Sequence, residues 1–273
     1  MSALYPLVRN LYAFSTRFGV SRSPSRAGSS PRSASSFLIS SCIFLFYIPL
    51  AAAQSPDALY ADRAVLASAR RAADLWSAIV AADARNFDAA WKLARADYWL
   101  GGHAPEAERR GFFERGIEAG RTAAALQPTR PEGYFWLAAN MGTLAEGYGV
   151  RQGLKYRKPI KEALETVLRL DPSFLEGSAD RALGRWYFKV PRLFGGSRQL
   201  AESHLRKSLT YNPGSTASRF FLAELLLDDG RTAEARAELQ RVLAAPPNPG
   251  WGPEDDEFKQ KARRALDAMK EEQ

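Results

Sequence analysis

The sequence predicts an all-α fold of stacked antiparallel helix pairs, and three observations carry that prediction. From Pro56 onward the apolar residues recur at helical spacing, and Val/Ile/Thr-rich alternating runs of strand type are absent. Four apolar helix ends run into proline, at Leu126-Gln127-Pro128, Leu170-Asp171-Pro172, Tyr211-Asn212-Pro213 and Ala245-Pro246-Pro247. Proline cannot continue a helix, and it disfavours helical geometry in the residue before it. Finally, Pro128, Pro172, Pro213 and Pro247 stand 44, 41 and 34 residues apart, a period long enough for one helix pair.

Taken in order, the first element is a leader. Residues 1–53 hold five Arg (Arg9, Arg17, Arg22, Arg26, Arg32), no Lys and no acid. Residues 1–36 form a Ser- and Arg-rich n-region, Phe37–Leu50 is a 14-residue apolar run, and Ala51-Ala52-Ala53 offers a small-x-small cleavage site. The expectation is export with a cut after Ala53, hence a periplasmic or extracytoplasmic chain. An organellar transit peptide and an uncleaved membrane anchor are the alternatives, although the run is short of the ~20 apolar residues a span needs. Removing the leader also removes Cys42, the sole cysteine. It leaves the other 220 residues at +3 of the total +8, with both signs interspersed, which argues against nucleic acid as partner.

Residues 54–273 form the expected repeat domain. A half-repeat comes first, with Ala72, Trp76 and Ile79 at helix B positions. Four repeats follow, and a period near 34 residues built from two helices is the mark of tetratricopeptide repeats. In the last of them Leu222 and Ala223 take positions 7 and 8, Gly230 the inter-helix turn, and Ala235, Leu239, Val242 and Pro247 the helix B positions. The small residues let helices A and B approach, and the large ones fill the groove between them. In the third, Leu183, Gly184 and Tyr187 fall on helix A, and Ala201, Leu205 and Pro213 on helix B. The second has Leu137, Ala138, Val167 and Pro172; the first has Leu93, Ala94, Gly101, Ala123 and Pro128. Extra residues between the helices of repeats one to three predict insertions in those hairpins, and Gly147–Gly153 reads as a helix-breaking connector. Gly195-Gly196-Ser197 reads as a turn, with Ser197 capping the next helix. Residues 254–271 read as a terminal capping helix whose acids Glu254-Asp255-Asp256-Glu257 suit the helix dipole.

Catalytic chemistry is thinly represented, so the sequence predicts a binding protein and no enzyme, with neither cofactor nor metal. The two histidines, His103 in an expected loop and His204 in an expected helix, lack partners at ligand spacing. Binding is expected on the concave side of the array, where A-helix positions 5, 9 and 12 point. Those positions and their neighbours are Trp91, Arg95, Tyr98, Phe135, Arg181, Arg185, Phe188, Lys189, Phe220 and Glu224. They predict an aromatic-floored cationic groove for a polypeptide or a small anionic or amphipathic solute, since guanidinium groups suit carboxylates. The alternative of equal weight is that the aromatics pack on the next helix or under an insertion and the arginines pair with acids such as Asp180 or Glu176. Tyr148, Tyr156, Trp186 and Phe194 flank the insertions and are candidates to line a second pocket, with packing in the core of repeat three the favoured alternative for Trp186.

The stretch Arg181-Ala-Leu-Gly-Arg-Trp-Tyr-Phe-Lys-Val-Pro191, followed by Gly195-Gly196 and Tyr211-Asn212-Pro213, resembles the TRAP-transporter T-component family over roughly residues 130–247. The matching positions are Arg181, Arg185, Trp186, Tyr187, Lys189, Gly195 and Gly196; Arg192 stands where many relatives have Gly. The resemblance implies an extracytoplasmic helical array that pairs with a periplasmic solute-binding protein and carries small hydrophobic ligands. The Leu-Gly-Arg-Trp core is also similar to the eukaryotic regulator-of-microtubule-dynamics family, which implies an organellar or general assembly scaffold.

Overall fold

The structure, a computed structural model, describes residues 54–271. The leader, with its n-region, apolar run and cut after Ala53, lies outside them. The described residues form one compact unit. Eleven α-helices make up its described part: α1 (Pro56–Ala61), α2 (Leu66–Ala82), α3 (Phe87–His103), α4 (Glu106–Leu126), α5 (Pro131–Gly147), α6 (Val150–Leu170), α7 (Phe174–Lys189), α8 (Arg198–Tyr211), α9 (Thr216–Asp228), α10 (Thr232–Ala244) and α11 (Gly252–Glu271). Neighbours in sequence pack as pairs: α3 with α4, α5 with α6, α7 with α8, and α9 with α10.

Local chemistry sets the helix starts. Ser55, Asn86, Ser197 and Ser215 each accept a hydrogen bond from the backbone N–H three residues on, at 3.2, 2.9, 3.3 and 3.2 Å, satisfying a donor that the first turn leaves orphaned. The A and B helices meet at small residues. A Cβ on Gly184 would lie 2.6 Å from Leu205 Cγ, and one on Gly133 would lie 2.4 Å from the Ala124 backbone nitrogen. Leu183, Leu205, Leu222, Ala223, Leu239 and Val242 are buried, filling the space between those close approaches. The core is two large clusters, one running from α1 to α7 and one from α8 to α11, with Tyr187 packed against both, and a small third cluster of Phe87, Ala90 and Ala123.

Two expectations need correction, and one feature is new. The extra residues of repeats one and two are not inserted loops; they lengthen the helices, so α4 and α6 each reach 21 residues. Gly149, at φ 88°, breaks the chain between α5 and α6, whereas Gly153 lies inside α6. Only repeat three has a true insertion, the 3-10 turn Arg192–Phe194 ending at Gly195, φ 102°. Arg192 opens that turn directly after Pro191. Ile79 is exposed, although Ala72 and Trp76 beside it are buried as expected. Lastly, α7 opens with a left-handed turn, Leu175, Glu176 and Gly177 at φ 45°, 60° and 76°, a costly conformation for two side-chain-bearing residues.

Candidate functional site

The A helices α3, α5, α7 and α9 carry the ten residues expected to line the groove, and the structure sorts them into three kinds. Phe135 and Phe220 are buried at 6% exposure. Phe135 packs edge-on against Trp136 and Phe174, and Phe220 packs edge-on against Phe221 and tilted against Phe258. These two are core, not an open aromatic floor, because neighbouring helices cover both rings. Trp91, Arg95 and Tyr98 sit near the N-terminal end. The Arg95 guanidinium lies over Tyr60, Trp91 and Trp76 at 4.1, 5.0 and 5.6 Å, and burial lowers its pKa against support from Tyr60 and Asp57. Tyr98 tilts against Trp136. So α1 seats itself on Arg95, with Asp57 also pairing to Lys92 at 2.8 Å.

The third kind is a polar cluster. Arg185 donates to Glu146 at 2.8 and 2.7 Å and to Glu224 at 2.9 Å, and its guanidinium covers Phe221 at 4.4 Å. It therefore ties α5, α7 and α9 together. Arg181 is half-buried one turn earlier, its charge disfavoured by burial and supported by Tyr98 and Glu176. Lys189 lies over the Phe188 ring at 4.6 Å. Trp186 is buried in the first core cluster, its indole donating to the Arg157 carbonyl at 2.9 Å. Gly196 is a close approach, where a Cβ would collide with the Val190 carbonyl at 1.7 Å. The matching positions Trp186 and Gly196 thus hold the repeat together.

What the sequence reading missed is a helix lying against the A-helix side. The segment from Asn248 through α11 crosses the A-helix side from the last repeat to the first. Phe258 meets Phe220 and Phe221 at 5.6 and 5.5 Å. Lys261 stands near Glu257, Arg185 and Glu224, and burial lowers its pKa despite the two carboxylates. Asp255 accepts from Thr216 Oγ1 at 2.6 Å and from the Asn248 N–H at 3.2 Å. Glu257 pairs with His103, and Glu254 with Arg63, which also donates to the Gly250 carbonyl at 3.0 Å. Burial resists the Glu257 charge, but His103 and Lys261 hold its carboxyl below the usual range.

The acid cluster is therefore not chiefly a dipole device, since Glu254, Asp255 and Glu257 each reach a different repeat or the half-repeat. Likewise α11 is only partly a cap. Ala262, Leu266 and Met269 bury against the last repeat, while the first turns lie across the array. His103 is not in a loop either. It ends α3, stacks on Trp99 at 3.6 Å, and its Nδ1 lies 2.6 Å from the Trp99 carbonyl. The signal available was Arg63, a lone cation in a turn, and an acid run in which Glu254 and Glu257 have partners 150 or more residues away.

Other polar groups serve packing. Asn140 is fully buried and donates to the Ala94 and Trp136 carbonyls at 2.9 and 2.8 Å, pinning α5 to α3. Asp97, also fully buried, takes paired hydrogen bonds from Arg115 at 2.8 and 2.5 Å. Burial nonetheless outweighs Arg115 and pushes the Asp97 carboxyl up to about 6. His204 bonds Asp180 at 2.7 Å and stacks on Tyr187. Among the described residues no three His, Cys, Asp or Glu side chains converge to hold a metal ion. A shallow depression of about 420 Å³ lies between α4 and α6, lined by Glu114, Arg115, Lys155 and Tyr156, apart from the groove.

A family model described as regulator of microtubule dynamics protein 1-3 matches residues 54–202, more than half of the chain. A tetratricopeptide repeat model matches residues 196–252. Among solved structures the chain is similar to a thermophilic TPR protein from Thermus thermophilus, at 24% identity and a TM-score of 0.59, over 77% of this chain and 97% of that one. At that identity the likeness shows the fold, a helical tetratricopeptide solenoid. Two structures of MamA are also similar, each at 17% identity, with TM-scores of 0.46 and 0.45, over 73% and 74% of this chain and 95% and 90% of theirs. Direct comparison with curated proteins gives no match.

Proposed function

This chain belongs to the regulator of microtubule dynamics protein 1-3 family, and from that premise we propose that it is a non-catalytic scaffold that holds a polypeptide partner. The carrying observation is α11 itself. An amphipathic helix already rests on the A-helix side, anchored by Phe258 and by charge pairs from Glu254 and Glu257, which is the helix-in-groove mode of peptide recognition. A surface that accepts this helix accepts a partner helix of the same pattern, an acidic first turn followed by an aromatic. A partner using the groove displaces α11. The family's description makes a microtubule-associated polypeptide the first candidate.

The test is affinity capture with residues 54–273 beside the Glu254→Ala/Phe258→Ala variant, which frees the groove. The reading expects the variant to recover more of the same partner. Equal recovery, or loss of all partners from a variant that remains folded, contradicts it.

A second reading, exported and transport-associated, rests on the T-component resemblance of Arg181–Pro191 with Gly195 and Gly196. It proposes cleavage after Ala53 and a periplasmic solute-binding protein as partner, with a small anionic or amphipathic solute as cargo. N-terminal sequencing of the mature chain tests the cleavage. Capture of a solute-binding protein by the parent, lost in Arg181→Glu/Arg185→Glu, tests the partner.

A further inference from the structure

A second surface lies away from the groove, where α6 begins. Its first three turns carry Arg151, Lys155, Arg157, Lys158 and Lys161 with no acid until Glu162, a basic stripe that the even mixing of charge over the whole chain conceals. At 100° per residue, Val150, Leu154 and Arg157 share one strip and Arg151 and Lys158 the strip beside it. The 3-10 turn after α7 extends the first strip. The Arg157 guanidinium lies 5.2 Å from the Phe194 ring, and the Trp186 indole holds the Arg157 carbonyl. Four large apolar side chains of these two elements are exposed, Val150 at 79%, Leu154 at 49%, Leu193 at 87% and Phe194 at 40%, with the Arg157–Phe194 contact as the link between the helix and the turn. Arg151, Lys158 and Arg192 are exposed and make no ion pair among the described residues.

Neither helix stability nor the core explains this surface. Contiguous exposed apolar groups mark interaction sites, and uncompensated cations around them call for an anionic counterpart. The shape selects which. The apolar groups protrude from a helix start and a turn tip, whereas a bound peptide needs a concavity for its own side chains; the depression lined by Lys155 and Tyr156 lies on the other flank of α6. Protruding apolar tips with cations at their base match the boundary between lipid headgroups and acyl chains. Among the described residues no helix is long and apolar enough to cross a membrane, so such contact is peripheral.

We propose that the α6 start and the Arg192–Phe194 turn form a docking surface for an anionic lipid bilayer. Val150, Leu154, Leu193 and Phe194 enter the headgroup region, and Arg151, Lys158 and Arg192 face the lipid charges. The surface lies apart from the A-helix side, so docking there does not require α11 to be displaced.

Flotation of residues 54–273, free of the apolar leader, with vesicles of phosphatidylcholine alone or containing about 30 mol% phosphatidylserine tests it. The expected result is binding to the anionic vesicles only, released as salt rises from about 0.05 to about 0.5 M. Arg151→Glu/Lys158→Glu/Arg192→Glu is expected to weaken the partition by about 100-fold, at roughly fivefold for each cation near the surface. Leu193→Asp/Val150→Asp is expected to abolish binding at unchanged melting temperature, because both positions are exposed. Equal binding to neutral vesicles, no binding to either, or variants that bind like the parent overturns the proposal. So does retention on immobilised poly-glutamate without vesicle binding, which reassigns the surface to an acidic polypeptide.

Discussion

Removing the Glu254 carboxylate is the sharpest perturbation of the contact between the two ends of the array. Arg63 is 6% exposed in its side chain, and Glu254 is 20% exposed. The Arg63 Nε donates to Glu254 Oε1 at 3.0 Å, one Nη2 hydrogen bond goes to each of Glu254 and the Gly250 carbonyl, and the guanidinium lies 5.1 and 5.4 Å from the Tyr60 and Trp99 rings. Burial alone lowers the Arg63 pKa, yet the bond to Glu254 and its charge leave it raised. In Glu254→Ala the cation keeps one carbonyl and two ring faces but loses its counter-charge. Breaking a buried pair on one side typically costs about 3–5 kcal/mol. The partial exposure of Glu254 lets water reach the site, which reduces the expected loss to about 2–4 kcal/mol. For a domain of this length that corresponds to a fall of about 5–15 °C in melting temperature. Asp256→Ala, an exposed acid in the same turn, controls for the helix dipole and is expected to cost less than about 1 kcal/mol. Chemical denaturation gives the energies, and amide exchange shows whether protection is lost in α11 first. A Glu254→Ala loss no larger than that of Asp256→Ala, with α11 protection intact, would refute the reasoning.

The remaining predictions concern the array itself. Leu183→Ala, at 1% exposure, is expected to cost ~2–5 kcal/mol in denaturant titration. Arg185→Ala is expected to cost about 1–3 kcal/mol, because its charge-assisted bonds join three helices instead of pointing freely into an open groove. Gly133→Ala places a methyl group 2.4 Å from the Ala124 nitrogen and is expected to cost about 1–3 kcal/mol through forced helix separation. The pH dependence follows from Asp97, whose folded-state pKa of about 6 exceeds the ordinary value of 3.8. Between those two pH values the folded state therefore holds a proton that the unfolded state has released. Asp97's contribution is fully present below pH 3.8 and is lost as pH rises through about 6. Its upper bound is about 3 kcal/mol. Parent stability measured against Asp97→Asn is expected to decline between those two values; a rising difference contradicts it.

Local pattern made much of the fold legible. The X-Pro helix ends, the Ala and Gly contact positions and the Leu and Val positions of repeats three and four depend on neighbours within one hairpin, and they fall where the spacing puts them. Hairpin length was harder to read, because extra residues add to a helix as readily as to a loop. Seven glycine-flanked residues do not reveal whether Gly149 or Gly153 ends the helix, which is decided by the positive φ at Gly149. The groove was half legible. Residues at positions 5, 9 and 12 were placed on the A helices, but Phe135 and Phe220 are covered by rings from other elements. The contacts of Arg63, His103, Glu254 and Glu257 join residues 150 or more apart, and no local rule encodes that distance. The basic stripe of α6 escaped because net charge averages over faces that only a helix separates.

The most direct measurement asks whether the A-helix side binds a helix in trans. A synthetic peptide of residues 248–271 is titrated by fluorescence anisotropy against residues 54–247, whose folding is checked by circular dichroism, and against residues 54–273. The account predicts saturable binding to the shorter chain, weakened when the peptide carries Glu254→Ala or Phe258→Ala, and little binding to the longer chain, whose groove holds its own helix. A folded 54–247 chain that ignores the peptide, or binds the variant peptides as well as the parent, contradicts the claim that this surface is a polypeptide-binding groove.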